Sequence, residues 1–212
     1  SLVPSRTPLP AVLSVYDVLY RDYPEFFTPV EKFYFNFIDR SIRKADVITT
    51  LSEYSRNRIV HWFPDVTERI VVVPCGVSED MKRVKDENRL QKVREKYGLP
   101  DEFFLYLGRL NVRKNIMRLL EAFSKISPDA RLVCVGKKDW KSHETDEIVT
   151  RFRIRDRIMF TGFIPDDEIP VFMSLARAFV YVPVAEGFGI PPLEAMACGA
   201  PVITSKTTSL PE

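Results

Sequence analysis

The segment FFLYLGRLNVRKNIMRLLEAFSKIS, residues 103–127, contains the pattern that decides the fold. It begins with a short, continuously apolar run, which is typical of a parallel strand buried on both faces. A loop with the cations Arg109 and Lys114 follows, and a helical pattern then extends over residues 115–127. The segment therefore predicts a strand, a loop and a helix, the repeating unit of an α/β protein.

The same unit repeats along almost the whole chain. Helical patterns at 29–44, 53–63, 86–97, 115–127, 140–153, 166–176 and 191–198 alternate with the apolar runs AVLSVYD, DVITTLS, RIVVVPCG, FFLYLGR, RLVCVGK, RIMFTGF, AFVYVPV and PVITS. Strict alternation of strand and helix implies right-handed crossovers. We therefore predict doubly wound, Rossmann-like parallel sheets.

One change of composition divides the chain. Residues 76–102 are charged and nearly free of aromatic side chains, and they separate three early strands from five later ones. We predict two units, 1–78 and 79–212, because three strands followed by five is unusual for a single sheet. The alternative is one continuous sheet with a long surface helix.

Composition narrows the functional classes. The 212 residues include 31 basic and 29 acidic side chains, a net charge of +2, so charge gives no argument for nucleic acid. The three cysteines are scattered and only two histidines are present, which disfavours disulfides and a metal centre of His and Cys. We expect buried free thiols in a reducing compartment.

The sequence also bears on location. No apolar run approaches the roughly 18 residues needed to span a bilayer, and the first residues lack a basic leader before an apolar core. We therefore expect a cytoplasmic protein. A peripheral position at the inner membrane face stays open, because PVEKFYFNFIDRSIRKA, residues 29–45, is aromatic on one side and basic at its end. The alternative is a helix that packs on a core.

Ligands of open parallel sheets collect at the carboxyl ends of the strands, and one such end carries EGFGIPPLE, residues 186–194. We predict that Glu186 lies on a loop and Glu194 in the first turn of the next helix, since paired prolines suit a helix start. The glycines allow tight turns or a close ligand. The loop amides and the helix N-terminus would then attract an anion or hydroxyl oxygens. Alternatively, Glu194 complements the helix dipole and Glu186 faces water.

Arg109 and Lys114 follow a different strand of the same predicted sheet. Two cations at one edge suit a diphosphate, whose departure leaves charge that must be stabilised, at roughly 3 kcal/mol for each contact in a closed site. No D-x-D metal motif is present, and PDDE, residues 165–168, is typical of a turn with a helix cap. The cations would take the place of a metal ion.

Longer motifs point to a known family. EGFGIPPLEAMACGAPVI, residues 186–203, resembles the E-x7-E signature of family 4 glycosyltransferases, which are retaining enzymes of the GT-B fold. YLGRLNVRKNIMRLLEAF resembles their donor-phosphate motif, and RLVCVGK, FTGFIPDDEIPVFMSLARAFVYVP and ADVITTLSEYSRNRIV fall where the family has similar segments. The resemblance implies a nucleotide-sugar donor in a cleft between two Rossmann-like domains, no metal ion, and retention by front-face attack.

The resemblance also implies roles for individual residues. Arg109 and Lys114 would grip the diphosphate. Glu194 would bind the ribose hydroxyls, and Glu186, the catalytic candidate, would contact the transferred sugar. Sugar hydroxyls or phosphate would meet the backbone amides of Gly187, Phe188, Gly189 and Ile190, and the base pocket would be lined by Phe163 and Ile164.

Two departures from the family pattern are visible. Tyr16 and Asp17 stand where the family commonly has a His-Asp pair on the acceptor and sugar side. The chain also starts inside the N-terminal domain and stops before the last helices, so the fold is expected to be incomplete at both ends. Residues 1–78 would be part of the acceptor-side domain and hinge, and 79–212 a truncated donor domain.

We therefore expect a metal-independent, retaining hexosyltransferase of polysaccharide biosynthesis. It would move a hexose, with mannose favoured, from GDP-mannose or a UDP-sugar to a glycan or lipid-linked acceptor. The alternative is a non-catalytic module of the same fold that binds a nucleotide sugar or a partner chain. A nicotinamide-dependent dehydrogenase is disfavoured, because no early strand is followed by G-x-G-x-x-G and an acid about 20 residues later.

Overall fold

The computed structural model of the chain describes residues 9–137 and 142–212, and for residues 142–144 the backbone alone. The strands in this part of the chain are Val12–Ser14 (β1), Val47–Thr50 (β2), Ile70–Val72 (β3), Phe104–Leu107 (β4), Leu132–Val135 (β5), Ile158–Gly162 (β6), Ala178–Tyr181 (β7) and Val202–Thr204 (β8). They form a three-stranded sheet, β1-β2-β3, and a five-stranded sheet, β6-β5-β4-β7-β8. Every neighbouring pair is parallel. The prediction of Rossmann-like parallel sheets is confirmed, and the alternative of one continuous sheet is wrong.

The helices follow the predicted pattern closely. They are Leu19–Asp22 (α1), Pro29–Lys44 (α2), Glu53–Trp62 (α3), Glu87–Tyr97 (α4), Ile116–Ser124 (α5), Ser142–Arg151 (α6), Ile169–Leu175 (α7) and Ile190–Ala197 (α8). The start of the helix predicted over 140–153 lies partly outside the described residues. Neither α1 nor the short 3₁₀ turns were predicted, and the first part of the helix predicted over 166–176 is such a turn, Asp166–Glu168.

Local capping explains where several helices begin and end. Thr28 and Glu31 form a reciprocal capping box at the start of α2, which satisfies two backbone donors that have no partner within the helix. The Asp86 carboxylate accepts from the backbone N–H groups of Asn88 and Arg89 at the start of α4. Gly98 ends α4 in the left-handed conformation, with φ of 63°.

The chain forms two compact units. Unit 1 contains the described residues up to Gly76, together with Ala185–Gly189 and Lys206–Glu212, and unit 2 contains Val77–Val184 and Ile190–Ser205. The assignment of residues 1–78 to an acceptor side and 79–212 to a donor side stays a prediction. The core of unit 1 consists of buried apolar side chains from its strands and the helices around them: Leu13, Val15, Val18, Tyr20, Ile42, Ala45, Ile48, Ile59, Phe63, Val66 and Ile70.

The core of unit 2 is formed by its three central strands and the helices packed against them. Its largest fully buried side chains include Leu105, Tyr106, Phe172, Phe179 and Tyr181. All four residues of β5 and of β7 are buried. Such strands must be apolar along their whole length, which explains why they were recognisable as continuous apolar runs.

Three further expectations concern cysteines, the membrane and α2. All three cysteines are free thiols; Cys134 and Cys198 are buried, as predicted, whereas Cys75 is only half-buried. No helix in the described part of the chain is both long and apolar enough to cross a bilayer. In α2, Phe35 packs against the unit 1 core, whereas Phe33 is exposed. Core packing therefore accounts for part of the aromatic content of this helix.

Candidate functional site

The residues predicted for the site fall in both compact units. Unit 1 contains Tyr16, Asp17, Glu186, Gly187, Phe188 and Gly189, and unit 2 contains Arg109, Lys114, Phe163, Ile164, Ile190 and Glu194. The stretch between the two carboxylates is thus divided after Gly189.

In unit 1, two serines at the start of α3 hold the loop that follows Glu186. The Ser52 hydroxyl donates to the Gly187 carbonyl oxygen at 2.6 Å, and the Ser55 hydroxyl donates to the same oxygen at 2.9 Å. Each serine is only 1% exposed. Buried hydrogen bonds of this kind are strong because water does not compete for the groups. Gly187 is therefore attached to the end of β2 and the beginning of α3.

The backbone of Glu186 is held by the last residues of the chain. Its N–H donates to the Thr208 hydroxyl oxygen at 3.0 Å, and its carbonyl oxygen accepts from the Ser209 hydroxyl at 2.9 Å. The Glu212 carboxylate accepts from the N–H groups of Glu53 and Tyr54, at 2.8 and 2.7 Å. An anion at a helix N-terminus is stabilised by the unpaired N–H groups there. Both backbone groups of Glu186 are therefore fixed by residues more than 20 positions away.

The predicted pair Tyr16 and Asp17 lies beside this loop. A Cβ added to Gly187 would lie 2.7 Å from the Asp17 Cβ and 3.1 Å from the Tyr16 carbonyl oxygen. Position 187 therefore requires glycine, because there is no space for a larger side chain. Gly189 has φ of 102°, and an added Cβ would lie 2.6 Å from a methyl carbon of Leu210. The structure therefore brings the predicted sugar-side residues and the predicted amide loop together within unit 1.

The end of β1 is itself ordered. One oxygen of the Asp17 carboxylate accepts from the Leu19 N–H at 3.0 Å, at the start of α1. The Tyr16 side chain is 64% exposed. Asp17 is consequently held in place by the backbone, whereas the Tyr16 ring remains accessible at the same strand end.

In unit 2, three adjacent strands end in a glycine with positive φ. These are Gly108 after β4, Gly136 after β5 and Gly162 at the end of β6, with φ of 148°, 137° and 73°. The Gly136 N–H donates to the Gly162 carbonyl oxygen at 2.8 Å, and a Cβ on Gly136 would lie 2.1 Å from the Gly108 carbonyl oxygen. Only glycine permits this approach. This edge was not predicted, although a glycine follows each of the runs YL, VCV and MFT.

The cationic loop of unit 2 lies between β4 and α5. The Lys114 ammonium contacts the Tyr181 hydroxyl and lies 4.9 Å from the centroid of that ring. Tyr181 is the last residue of β7 and is fully buried. Since β7 pairs with β4, the Lys114 ammonium is held at the edge where Arg109 leaves β4. Tyr181 was not predicted, because nothing in its apolar run indicates a polar partner.

Further contacts fix the backbone of the same loop. Asn115 adopts the left-handed conformation, with φ of 59°, and its side-chain amide donates to the Val182 carbonyl oxygen at 2.9 Å. The Arg113 carbonyl oxygen accepts from the Val184 N–H at 2.9 Å. Arg109 is exposed, and its carbonyl oxygen accepts from the Tyr106 hydroxyl at 2.8 Å. The loop is rigidly positioned while the Arg109 guanidinium faces solvent.

Glu194 lies in α8 and is half-buried. Burial raises the pKa of its carboxyl group, and the negative charge of Asp166 raises this pKa further. The prediction that Glu194 lies in the first helical turn is wrong, because α8 begins at Ile190 and has no acid in its first turn. A carboxylate stabilised by the helix dipole would have a lowered pKa. Glu194 lies beyond the first turn of α8, where the dipole effect has fallen off, which argues against that alternative.

The other predicted positions of unit 2 differ in exposure. Phe163 is 69% exposed, whereas Ile164 is 2% exposed, so the Ile164 side chain belongs to the core. Their role at a base pocket stays a prediction. Gly199 ends α8 with φ of 79°. Within the described residues, no three His, Cys, Asp or Glu side chains converge in a way that could hold a metal ion.

Comparison with known proteins places these features in a family. The profile described as "Glycosyl transferases group 1" matches residues 89–212. The chain is 36% identical over 180 residues to O-antigen chain mannosyltransferase B of Escherichia coli, covering 82% of this chain and 47% of the relative. It is 31% identical over 180 residues to the GDP-mannose-dependent alpha-(1-6)-phosphatidylinositol monomannoside mannosyltransferase of Mycolicibacterium smegmatis, covering 79% of this chain and 46% of the relative.

The fold is also similar to that of a solved structure. The crystal structure of HepE from Anabaena in complex with UDP-glucose has a TM-score of 0.75 and 24% sequence identity, over 95% of this chain and 54% of that chain. The fold class is that of GT-B glycosyltransferases, as predicted. The chain spans about half the length of the curated relatives it matches. Because the family profile covers more than half of its residues, the chain belongs to the group 1 glycosyl transferases.

Proposed function

We propose that the protein is a retaining, metal-independent hexosyltransferase that transfers mannose from GDP-mannose to a glycan or lipid-linked acceptor. The observation that carries this proposal is the similarity to relatives named as mannosyltransferases. The cationic loop and the half-buried carboxylate at the carboxyl edge of the unit 2 sheet support it, because ligands of open parallel sheets bind at that edge.

The donor nucleotide is assigned to residues of unit 2. Lys114 and Arg109 contact the diphosphate, where positive charge compensates the negative charge that develops on the leaving group. Glu194 accepts hydrogen bonds from the ribose hydroxyls, with the amides at the start of α8 nearby. The base lies against the segment of Phe163 and Ile164. The contact of Lys114 with Tyr181 supports this assignment, since it holds the ammonium at a defined position before the donor arrives.

The transferred sugar is assigned to the loop of unit 1. Glu186 and the amides that follow it contact the sugar hydroxyls, and Tyr16 and Asp17 stand on the sugar and acceptor side. Retention proceeds by front-face attack, in which the leaving phosphate helps to deprotonate the acceptor. No carboxylate then has to act as a conventional base, and the two-carboxylate scheme of glycosidases does not apply.

Guanine and mannose are favoured over other donors because one relative is named as GDP-mannose-dependent. The acceptor classes come from the same comparisons, since one relative is named for an O-antigen chain and the other for a phosphatidylinositol mannoside. Location in the cytoplasm, and peripheral association with the inner face of a membrane through α2, remain part of the proposal.

Calorimetric titration in EDTA tests the donor. The full chain is titrated with GDP, UDP and ADP, each alone and as its nucleotide sugar. We expect GDP and GDP-mannose to bind in the absence of metal ions, and UDP and ADP to bind at least tenfold more weakly. Binding of no nucleotide, or binding that appears only after Mg²⁺ is added, would contradict the proposal. Tight binding of UDP-glucose alone would replace mannose with glucose.

A further inference from the structure

We infer that Ser52 and Ser55 are positioning residues for recognition of the transferred sugar, an inference that rests on the proposed function. Both hydroxyls donate to one acceptor, the Gly187 carbonyl oxygen, at 2.6 and 2.9 Å. A carbonyl oxygen has two lone pairs. Two donors therefore occupy the whole accepting capacity of this oxygen and define the direction in which it points.

The direction of the carbonyl determines the direction of the next amide. The peptide bond is planar, and no cis peptide bond occurs in the described residues. In a trans peptide the N–H of one residue points opposite to the carbonyl of the residue before it. Because the Gly187 carbonyl points at the two serines, the Phe188 N–H points away from them. The serines thereby orient one of the amides proposed to meet the sugar.

The same pair also acts on the carboxylate next to it. Glu186 is attached directly to Gly187, and its own backbone N–H and carbonyl are held by Thr208 and Ser209. With Gly187 anchored on the following side, the backbone on both sides of the Glu186 Cα is fixed. A catalytic or binding carboxylate must be held within roughly 0.5 Å of its productive position, and these contacts supply that restraint.

Helix capping alone does not explain the pair. Ser52 caps α3 by accepting from the Ser55 N–H at 3.0 Å, a role that uses an oxygen lone pair and leaves the hydroxyl proton unused. The Ser55 hydroxyl takes no part in that cap. Ser52 is the N-cap residue just before α3 and Ser55 lies in the first turn of that helix, yet both hydroxyls donate to the Gly187 carbonyl oxygen. The shared acceptor explains why a second hydroxyl, that of Ser55, lies beside the Ser52 cap.

Ser55→Ala is the decisive variant, because it removes one donor and leaves the cap intact. The readout is the ratio of the affinities for GDP-mannose and GDP, measured by calorimetry on the full chain. We expect affinity for GDP-mannose to fall about threefold to tenfold, as for loss of one buried hydrogen bond, and affinity for GDP to stay within about twofold. Ser55→Thr retains a hydroxyl and should restore most of the ratio.

Two further variants separate positioning from stability. Ser52→Gly removes the hydroxyl at little cost to the cap, because glycine is itself well tolerated at an N-cap position, so it should lose the sugar-dependent affinity in the same way. Ser41→Ala is the matched control, since the buried Ser41 hydroxyl also donates to a carbonyl oxygen, that of Phe37, at 3.1 Å. It should lower thermal stability without changing the affinity ratio.

The outcomes are distinct. If the unsubstituted chain prefers GDP-mannose to GDP and Ser55→Ala keeps that preference, the positioning role is overturned and the proposed function stands. Equal changes in both affinities would also overturn it, because they indicate a general loss of structure. If the unsubstituted chain binds neither GDP-mannose nor UDP-glucose, the proposed function fails and the positioning role fails with it.

Discussion

The Gly187 loop of unit 1 and the glycine-lined strand edge of unit 2 are held in place in different ways. In unit 1, the loop at Gly187 is held by side-chain hydroxyls from distant residues, Ser52 and Ser55. In unit 2, the edge formed by Gly108, Gly136 and Gly162 is held mainly by backbone contacts: the Gly136 N–H donates to the Gly162 carbonyl oxygen at 2.8 Å, which also accepts from the Thr161 hydroxyl at 3.2 Å. A small side-chain change can loosen the unit 1 loop, whereas the unit 2 edge cannot be altered without moving strands.

The largest effect is expected from Gly136→Ala. Its Cβ would lie 2.1 Å from a backbone oxygen, at φ of 137°, so steric overlap and backbone strain together should lower the free energy of unfolding by about 3 kcal/mol. Gly162 has φ of 73° but open space around it, and its Ala variant should cost only about 1 kcal/mol. Gly76 has neither constraint, so Gly76→Ala should change stability by less than about 0.5 kcal/mol.

Urea unfolding followed by circular dichroism measures all three glycine variants. The order of the three values matters more than their size, since each variant adds the same methyl group. Equal destabilisation by Gly136→Ala and Gly162→Ala would show that the close approach at the unit 2 edge is not a tight constraint, and the contrast with unit 1 would disappear.

Gly187→Ala should have a smaller effect on stability and a larger one on recognition. The new methyl group meets the Asp17 Cβ at 2.7 Å, and overpacking of this kind costs roughly 2 kcal/mol. The loop is held by hydroxyl groups that can yield, so it should move rather than unfold. We expect a loss of about 30-fold in affinity for GDP-mannose with GDP nearly unaffected. Calorimetry on Gly187→Ala and the Gly76→Ala control checks this, and an unchanged affinity would place the loop outside the sugar site.

Lys114→Met tests whether the edge of unit 2 binds the diphosphate. The substitution keeps the length of the side chain and removes the charge that lies beside Tyr181. A charge-assisted hydrogen bond contributes roughly 1.5 kcal/mol, so GDP affinity should fall about tenfold. Lys125→Met is the control, because Lys125 is an exposed lysine paired with Glu121 at 2.9 Å. Equal losses in both variants would indicate non-specific attraction of the anion.

The smallest effect concerns the pH dependence of stability at Glu194. Burial and the charge of Asp166 raise its pKa in the folded protein, so the folded state binds the proton more tightly than the unfolded state does. Ionisation therefore destabilises the fold as pH rises from the ordinary value through the raised value. Glu194→Gln should raise Tm by about 2 °C at pH 7.5 and have little effect near pH 4.5.

Glu121 is the control for that pH dependence, because its pKa is shifted in the opposite direction. The hydrogen bond that Lys125 donates, together with its charge, lowers the pKa of Glu121, so Glu121→Gln should lower or leave unchanged the Tm at pH 7.5 and never raise it. Thermal scans at several pH values compare the two variants. A Glu194→Gln variant that is less stable than the unsubstituted chain at neutral pH would show that the carboxylate has a stabilising partner.

Much of the fold was predictable because its signals are local. Each predicted apolar run contains a strand, although only β5 and β7 are buried along their whole length, and β1, β3 and β8 each have exposed residues. The site was less predictable. Lys114 was identified from its place after a strand, but its partner Tyr181 is 67 residues away. The placement of Glu194 in the first helical turn was wrong by one residue, since α8 begins at Ile190 and Glu194 is its fifth residue.

The sequence by itself determined the parallel α/β architecture, the family, and the residues that we propose for a nucleotide-sugar site. Hydrophobic periodicity and short motifs contain that information, because they reflect the environment of each residue and its near neighbours. Only the tertiary structure decided that Glu186–Gly189 belongs to unit 1 and that two serines more than 130 residues earlier hold its backbone. It also decided that burial disfavours the ionised form of the Glu194 carboxyl group. These properties arise from contacts between distant segments, and no local pattern records which hydroxyl will meet which carbonyl.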